Sequence, residues 1–166
     1  MPNYPVASSE FDEQLGTGAN TTGTEIVASI NNLIGANSYG YIRLDTSAIG
    51  TDTITSATLH WYHVGYTKSK TVGFSRRITV GASVVLDSAL TPPAAGWHSE
   101  VLDPGELGDI NPAGDTLVQF SVLDPGGLEN RSWTIQTWDY TDHSRACYLE
   151  VAHAAAGGPT KFSVIR

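Results

Sequence analysis

RLDTSAIGTDTITSATLHWY, residues 43–62, contains two strand patterns separated by a polar segment. Apolar alternation ends at Leu44, small and polar residues fill most of 45–56, and alternation resumes in ATLHW at 57–61. Successive side chains of a strand point to opposite faces of a sheet, so the second pattern has one apolar face and one mixed face. The stretch therefore predicts a strand, a long loop and a second strand that is half buried.

Strand patterns of the same kind recur along the chain, while helical periodicity is nearly absent. They are rich in Val, Ile, Thr, Tyr and Trp and are bounded by Gly, Pro, Asn and Asp. Short strands at this spacing predict an all-β sandwich or barrel of antiparallel strands. The nine predicted strands are Thr24–Ile30, Tyr39–Asp45, Ala57–Val64, Thr71–Val80, Ser83–Leu86, Trp97–Val101, Thr116–Leu123, Ser132–Trp138 and Ala146–His153.

The strands with clear alternation each have one apolar face, which is typical of a two-sheet sandwich. Trp61 and Trp133 share the parity of the apolar residues and are expected to be buried. Cys147, the one cysteine of the sequence, lies in an apolar pattern and is interpreted as a small buried side chain. The apolar faces predict one core that contains Leu44, Leu59, Phe120, Ile135, Leu149 and Val151.

Composition and charge restrict the classes of partner. The 166 residues suffice for one domain with its own core. A net charge of −8 argues against nucleic acid and against anionic membrane surfaces, because both attract basic patches. No apolar run approaches the about 18 residues of a membrane span, and MPNYPVASSEFDEQ at the N-terminus lacks a signal-peptide pattern. We therefore expect a protein that is made in a cytoplasm without a signal peptide.

YIRLDTSAIGTDTITSATLHWY, residues 41–62, resembles the front signature of DNRLRE-type jelly-roll modules. In these modules an Arg-bearing strand is followed by a loop and an ITSATL-like strand; here Leu44 replaces their usual Phe. WTIQTWDYTDHSRACYLEV, residues 133–151, is similar to the closing strand pair of the same modules. The resemblance implies an antiparallel two-sheet jelly-roll sandwich of about eight to ten strands.

Within such a module, residues 45–56 are the crossing that carries the chain from one sheet to the other. Asp45 can satisfy backbone groups of the loop, and Gly50 allows the turn. Ile49 and Ile54 are expected to lie beneath the crossing.

No catalytic motif stands out in the sequence. His60 and His63 have opposite strand parity and cannot bind one ion together, and no Cys/His pair has zinc spacing. The 17 acidic residues show no spacing that singles out a hydrolytic pair. The chain is therefore predicted not to be an enzyme.

Calcium is the one metal that the resemblance suggests, because related jelly-roll modules often hold a structural calcium ion between their N- and C-terminal strands. Carboxylates are suitable ligands for this ion. A hydrated acidic arm is the alternative interpretation, and no other cofactor is expected. The candidate ligands are Glu10, Asp12, Asp139 and Asp142.

Aromatic side chains outside the core pattern are candidates for stacking on sugar rings or for a protein interface. Trp97 follows TPPAAG, and Trp138 and Tyr140 lie at a strand end and a loop. Tyr62 points to the mixed face of its strand. These four residues form the predicted glycan- or partner-binding site.

Both ends of the chain are predicted to lie outside the sandwich, with an N-terminal arm at 1–7, a jelly-roll domain at 8–153 and a C-terminal segment at 154–166. The small residues at 154–160 are interpreted as a flexible hinge. An exposed apolar tail invites aggregation, so we expect the tail to dock on its own sheet as an edge strand, or on a neighbouring subunit or a capsid shell. The docking residues are Phe162, Val164 and Ile165.

These inferences predict a non-catalytic accessory protein on the surface of a virion: a capsid decoration protein, a head fibre or a tail adhesin. Modules of the resembled kind usually belong to long secreted chains, whereas this sequence has no signal pattern, and a virion protein leaves the cell by lysis. The expected partners are a capsid or other virion protein, a further copy of the chain, and a glycan. A stand-alone carbohydrate-binding module is the alternative, and a polysaccharide-active enzyme ranks third.

Overall fold

The computed structural model describes residues 11–14, 17–19, 25–31, 36–68, 74–90, 94–123, 130–136 and 145–165. These residues form twelve β-strands and two short 3-10 helices, Ser47–Ile49 and Glu106–Asp109, and no α-helix occurs among them. The strands are β1 (Phe11–Gln14), β2 (Thr17–Ala19), β3 (Glu25–Asn31), β4 (Ala36–Asp45), β5 (Thr53–Lys68), β6 (Phe74–Val80), β7 (Ser83–Leu90), β8 (Gly96–Val101), β9 (Asp115–Leu123), β10 (Asn130–Gln136), β11 (Tyr148–Ala154) and β12 (Lys161–Ile165).

Strands β3 to β10 wind as one long antiparallel ribbon. At its tip β6 pairs with β7, and then β5 pairs with β8, β4 with β9 and β3 with β10. Wrapping of the ribbon brings β10 beside β5 and β9 beside β6. The resulting orders, β8–β5–β10–β3 and β4–β9–β6–β7, are those of a jelly roll, and a short pairing of β3 with β4 at residues 29–31 joins the two. The predicted antiparallel two-sheet sandwich is confirmed.

Four further described strands extend the two sheets. β1 pairs with β4 on the edge opposite β9, and β2 pairs with β1. β11 pairs with the N-terminal half of β5 on the edge opposite β8, and β12 pairs with β11. At one end of this sheet β8, β5, β11 and β12 therefore lie side by side. The nine strands predicted from alternation do not include β1 and β2, because three or four residues give little alternation, and β12 was predicted only as one docking mode of the tail.

Residues 46–52 connect β4 to β5 and carry the chain from one sheet to the other. The Ser47 N–H donates a hydrogen bond of 3.0 Å to Oδ1 of Asp45. Gly50 adopts a φ of 61°, a conformation that side chains disfavour and glycine tolerates. The crossing has the local hydrogen bonding and the glycine turn that the sequence predicts.

The crossing covers apolar residues as expected. Ile49 is buried, and Ile54 is partly buried against the same core. β5 begins at Thr53, four residues before the predicted strand, because its first residues pair with β11. Ile54 is the one apolar residue among these four, so the alternation is too short to give a clear hydrophobic signal and the loop appears longer in the sequence than in the structure.

The apolar faces of the two sheets meet in one core. Phe120 and Trp133 contact each other edge to face, with 5.4 Å between ring centroids. Trp61 is also buried, as predicted. Cys147 lies within the core, and burial raises the pKa of its thiol. All six predicted core residues are buried: Leu44, Leu59, Phe120, Ile135, Leu149 and Val151.

The C-terminal segment forms β12 on the sheet of its own chain, which is the first of the predicted docking modes. The residues interpreted as a hinge make the turn between β11 and β12, with Gly157 at a φ of 73°. Ile165 is buried, whereas Phe162 is 83% and Val164 41% exposed, so the predicted docking residues divide between the core and the outer face. The N-terminal arm at 1–7 lies outside the described residues and stays a prediction.

Candidate functional site

Aromatic side chains gather on the outer face of the sheet where β8, β5 and β11 lie together. Trp97 comes from β8, His60 and Tyr62 from β5, and Tyr148 from β11. Register pairs Trp97 with Tyr62, and places His60 between Ser99 and Tyr148. These positions follow from the strand period of two, because the inward partners on β5 are core residues. We call Trp97, Tyr62, His60 and Tyr148 the aromatic cluster.

The rings of the aromatic cluster support one another. His60 stacks on Tyr148, with 4.5 Å between centroids and 9° between ring planes. Trp97 meets Tyr62 and Tyr148 edge to face at 5.7 and 5.5 Å, within the range that aromatic pairs favour. Trp97 is 45% exposed, and the other three side chains are half buried. One open indole therefore contacts two partly buried tyrosine rings, and His60 stacks on one of them.

Charged groups border the aromatic cluster. The guanidinium carbon of Arg145 lies 4.5 Å from the ring centroid of Tyr62, which is cation–π geometry. Nε2 of His60 lies 3.4 Å from Oε2 of Glu150, and the two form an ion pair when the imidazole is protonated. A shallow open groove along the cluster is lined by His60, Trp97, His98, Ser99 and Tyr148.

The structure brings together two of the four predicted binding residues, Trp97 and Tyr62. Trp138 and Tyr140 lie outside the described residues, so their part in the site stays a prediction. The sequence pattern did not single out His60 and Tyr148 as binding residues. The alternation of each strand places both residues on the mixed, outward face. Their contact depends on the pairing of β5 with β11, which local sequence does not reveal.

A second polar arrangement lies on the inner face, where β12 meets β11. Nδ1 of His153 is 2.8 Å from Oδ2 of Asp52, and Nε2 of His153 is 2.9 Å from Oγ of Ser163. Lys161 Nζ donates to the same Asp52 oxygen at 2.9 Å. We call these four residues the inner network. The order Ser–His–Asp is that of a nucleophile, a base and an orienting carboxylate, a grouping that sequence analysis did not anticipate.

The surroundings of the inner network favour a structural role. His153 is 2% and Ser163 8% exposed, and a hydroxyl so enclosed has little access to a substrate carbonyl. Lys161, followed by His153, lowers the pKa of Asp52. The network joins the sheet crossing to β11 and β12, and thereby fixes the last strand. The sequence did contain a signal for this network. His153 follows Leu149 and Val151 on the core face of β11, where a buried polar side chain needs a hydrogen-bond partner.

The predicted calcium ligands fall largely on residues that the structure does not describe. Glu10, Asp139 and Asp142 lie outside the described ranges, and for Asp12 the description covers the backbone in β1. Among the described residues, no group of three or more His, Cys, Asp or Glu side chains is arranged to hold a metal ion. In the same ranges, no helix has the length and apolar character needed to cross a membrane. The calcium site stays a prediction.

No protein-family model and no curated protein matches this chain. The resemblance to DNRLRE-type modules therefore stays a prediction from the residues quoted for it. The jelly-roll order stands independently, because it follows from the strand pairings themselves.

Proposed function

We propose that this chain is a non-catalytic binding module that takes a glycan on the aromatic cluster, and that it serves as an accessory protein on the surface of a virus-like particle. The observation that supports glycan binding is Trp97, an indole 45% exposed on a sheet face and braced by Tyr62 and Tyr148. The apolar face of a sugar ring stacks on such an indole. Because Tyr62 and Tyr148 already hold the indole in place, binding loses little side-chain conformational entropy.

Polar groups beside the indole suit the hydroxyl groups of a sugar. Ser99 and His60 line the groove next to Trp97, and Glu150 and Arg145 stand at its borders. A binding site of this kind combines apolar surface with a few directional hydrogen-bonding groups. The aromatic cluster and its borders offer both.

The particle part of the proposal rests on other features. The acidic net charge of −8 supports it, and jelly rolls are common in viral capsid and lectin domains. Mass spectrometry of purified particles from cells that express this gene tests it, and we expect the chain among the particle proteins. Its consistent absence from such particles would leave the stand-alone carbohydrate-binding module as the better proposal.

A glycan array followed by calorimetry on the selected sugar tests the binding site. Trp97→Ala should lower the affinity at least about tenfold, or about 1.4 kcal/mol, because it removes the stacking surface. The matched control is Leu117→Ala, which trims an apolar side chain, 38% exposed, on β9 of the other sheet. Binding that survives Trp97→Ala at full strength contradicts this location. Failure to bind any glycan contradicts glycan binding itself.

The non-catalytic part of the proposal depends on the burial of Ser163. A fluorophosphonate probe labels activated serine nucleophiles, and we expect no labelling of Ser163 in the folded protein. Labelling that disappears in Ser163→Ala and in His153→Ala, together with ester or polysaccharide hydrolysis by the unaltered protein, would identify the inner network as catalytic.

A further inference from the structure

β12 is the last strand of its sheet. It pairs with β11 along one edge, and in the described part of the chain no strand pairs with its other edge. An open edge presents backbone N–H and C=O groups that are ready to pair with another strand. Such an edge either carries features that prevent pairing or has a partner.

KFSVI, residues 161–165, has two of the usual protective features of an edge strand, a short length and a lysine. It contains no proline, and Lys161, its one charged residue, is engaged with Asp52 at 2.9 Å. Phe162 and Val164 project from the outer face, 83% and 41% exposed. An edge of this composition is open to strand addition.

The charge of β12 permits a second copy of the chain as the occupant. Two copies with a net charge of −8 each repel one another most where their acidic residues face. β12 has no acidic residue, whereas the edge strands β7 and β8 contain Asp87 and Glu100; the edge strand β2 also lacks one but has only three residues. β12 itself therefore brings no carboxylate to such a contact, and the neighbouring β11 brings Glu150, which lies opposite Val164.

We propose that β12 pairs antiparallel with β12 of a second copy, across a two-fold axis at Ser163. This register uses all five residues of the strand in both copies. It sets Phe162 opposite the partner's Val164, and the symmetry repeats the same pair. An aromatic side chain opposite a β-branched one is a favourable cross-strand pair. A contact of this kind is self-complementary and closes as a dimer.

Sedimentation and light scattering across a concentration series test the dimer. The unaltered chain should be a dimer. Phe162→Glu should raise the dimer dissociation constant at least about tenfold, because it places a carboxylate opposite the partner's Val164 and a second one diagonally across the axis. Since Phe162 is largely exposed, the variant should keep the circular dichroism spectrum of the unaltered protein. Phe162→Leu should remain dimeric.

The matched control is Val84→Glu, which adds the same charge at an apolar position, 43% exposed, on the edge strand β7. This variant should dimerise as the unaltered chain does. A monomeric unaltered chain at high concentration overturns the proposal, even if the chain binds a capsid shell. A dimer that survives Phe162→Glu, or one that Val84→Glu disrupts equally, overturns it as well.

Discussion

Two histidine arrangements on opposite faces of the sheet formed by β8, β5, β11 and β12, one at His153 and one at His60, differ in access to solvent. On the inner face, His153 is 2% exposed and has hydrogen-bond partners at both ring nitrogens, Asp52 and Ser163. On the outer face, His60 stacks on Tyr148 and lies near Glu150, whose side chain is 54% exposed. Both histidines have a carboxylate neighbour, but the inner carboxylate is enclosed by protein partners.

The difference shows that side-chain chemistry alone does not identify a functional site. The inner network has the residue types of a catalytic triad, yet His153 and Ser163 are buried, and His153 is hydrogen-bonded to both Ser163 and Asp52. The aromatic cluster lacks any familiar catalytic set, yet it presents Trp97 and polar groups to solvent. Access, rather than residue type, favours the outer face as the binding surface.

The largest expected effect compares neighbours on β11 that face opposite sides. Leu149→Ala should lower the free energy of unfolding by about 2–5 kcal/mol, because the fully buried leucine leaves a cavity. Glu150→Ala, on the outer face, should change it by less than about 0.5 kcal/mol. Urea unfolding of both variants measures the contrast. Equal losses would mean that the faces of β11 are not divided as described.

A smaller effect separates the two histidines. His153→Ala should lower the free energy of unfolding by about 1–3 kcal/mol, because it removes a hydrogen-bond partner from Asp52 and from Ser163 in a buried site. His60→Ala should cost less than about 1 kcal/mol and should act mainly on glycan affinity. Thermal or urea unfolding and calorimetric binding, run on both variants, give the two readouts. A larger loss of stability for His60→Ala would reverse the structural assignment.

The smallest expected effect is a pH dependence. Lys161 and His153 lower the pKa of Asp52 in the folded state, so its stabilising contribution is present above the unfolded pKa of about 3.9. That contribution is lost as the pH falls through the lower folded-state pKa. Urea unfolding between pH 7 and pH 3 should therefore show a steeper acid loss for the unaltered chain than for Asp52→Asn. Parallel curves would show that Asp52 is not held in the inner network.

The sequence allowed prediction of the strand faces, because period-two alternation depends on local residues. It placed Leu59 in the core and Tyr62 outside, and the structure agrees. The partners in both histidine arrangements were not predictable in the same way. Tyr148 reaches His60, and Asp52 reaches His153, through the long-range register of β11 with β5. Register across strands depends on the whole wrapped fold, and the alternation within a single strand does not reveal it.

The wrapped ribbon also affects the order in which the strands pair and the rate of folding. The β6–β7 hairpin joins residues that are close in sequence, whereas β3 and β10 pair Ser29 with Ser132, about 100 residues apart. Pairing residues this far apart in sequence costs loop-closure entropy, which is lost before the non-local contacts form. Topologies dominated by such pairs fold in milliseconds to seconds rather than microseconds. We therefore expect β6 and β7 to pair early and β3 and β10 to pair late. We also expect slow refolding, and a shorter β6–β7 turn should not increase the refolding rate.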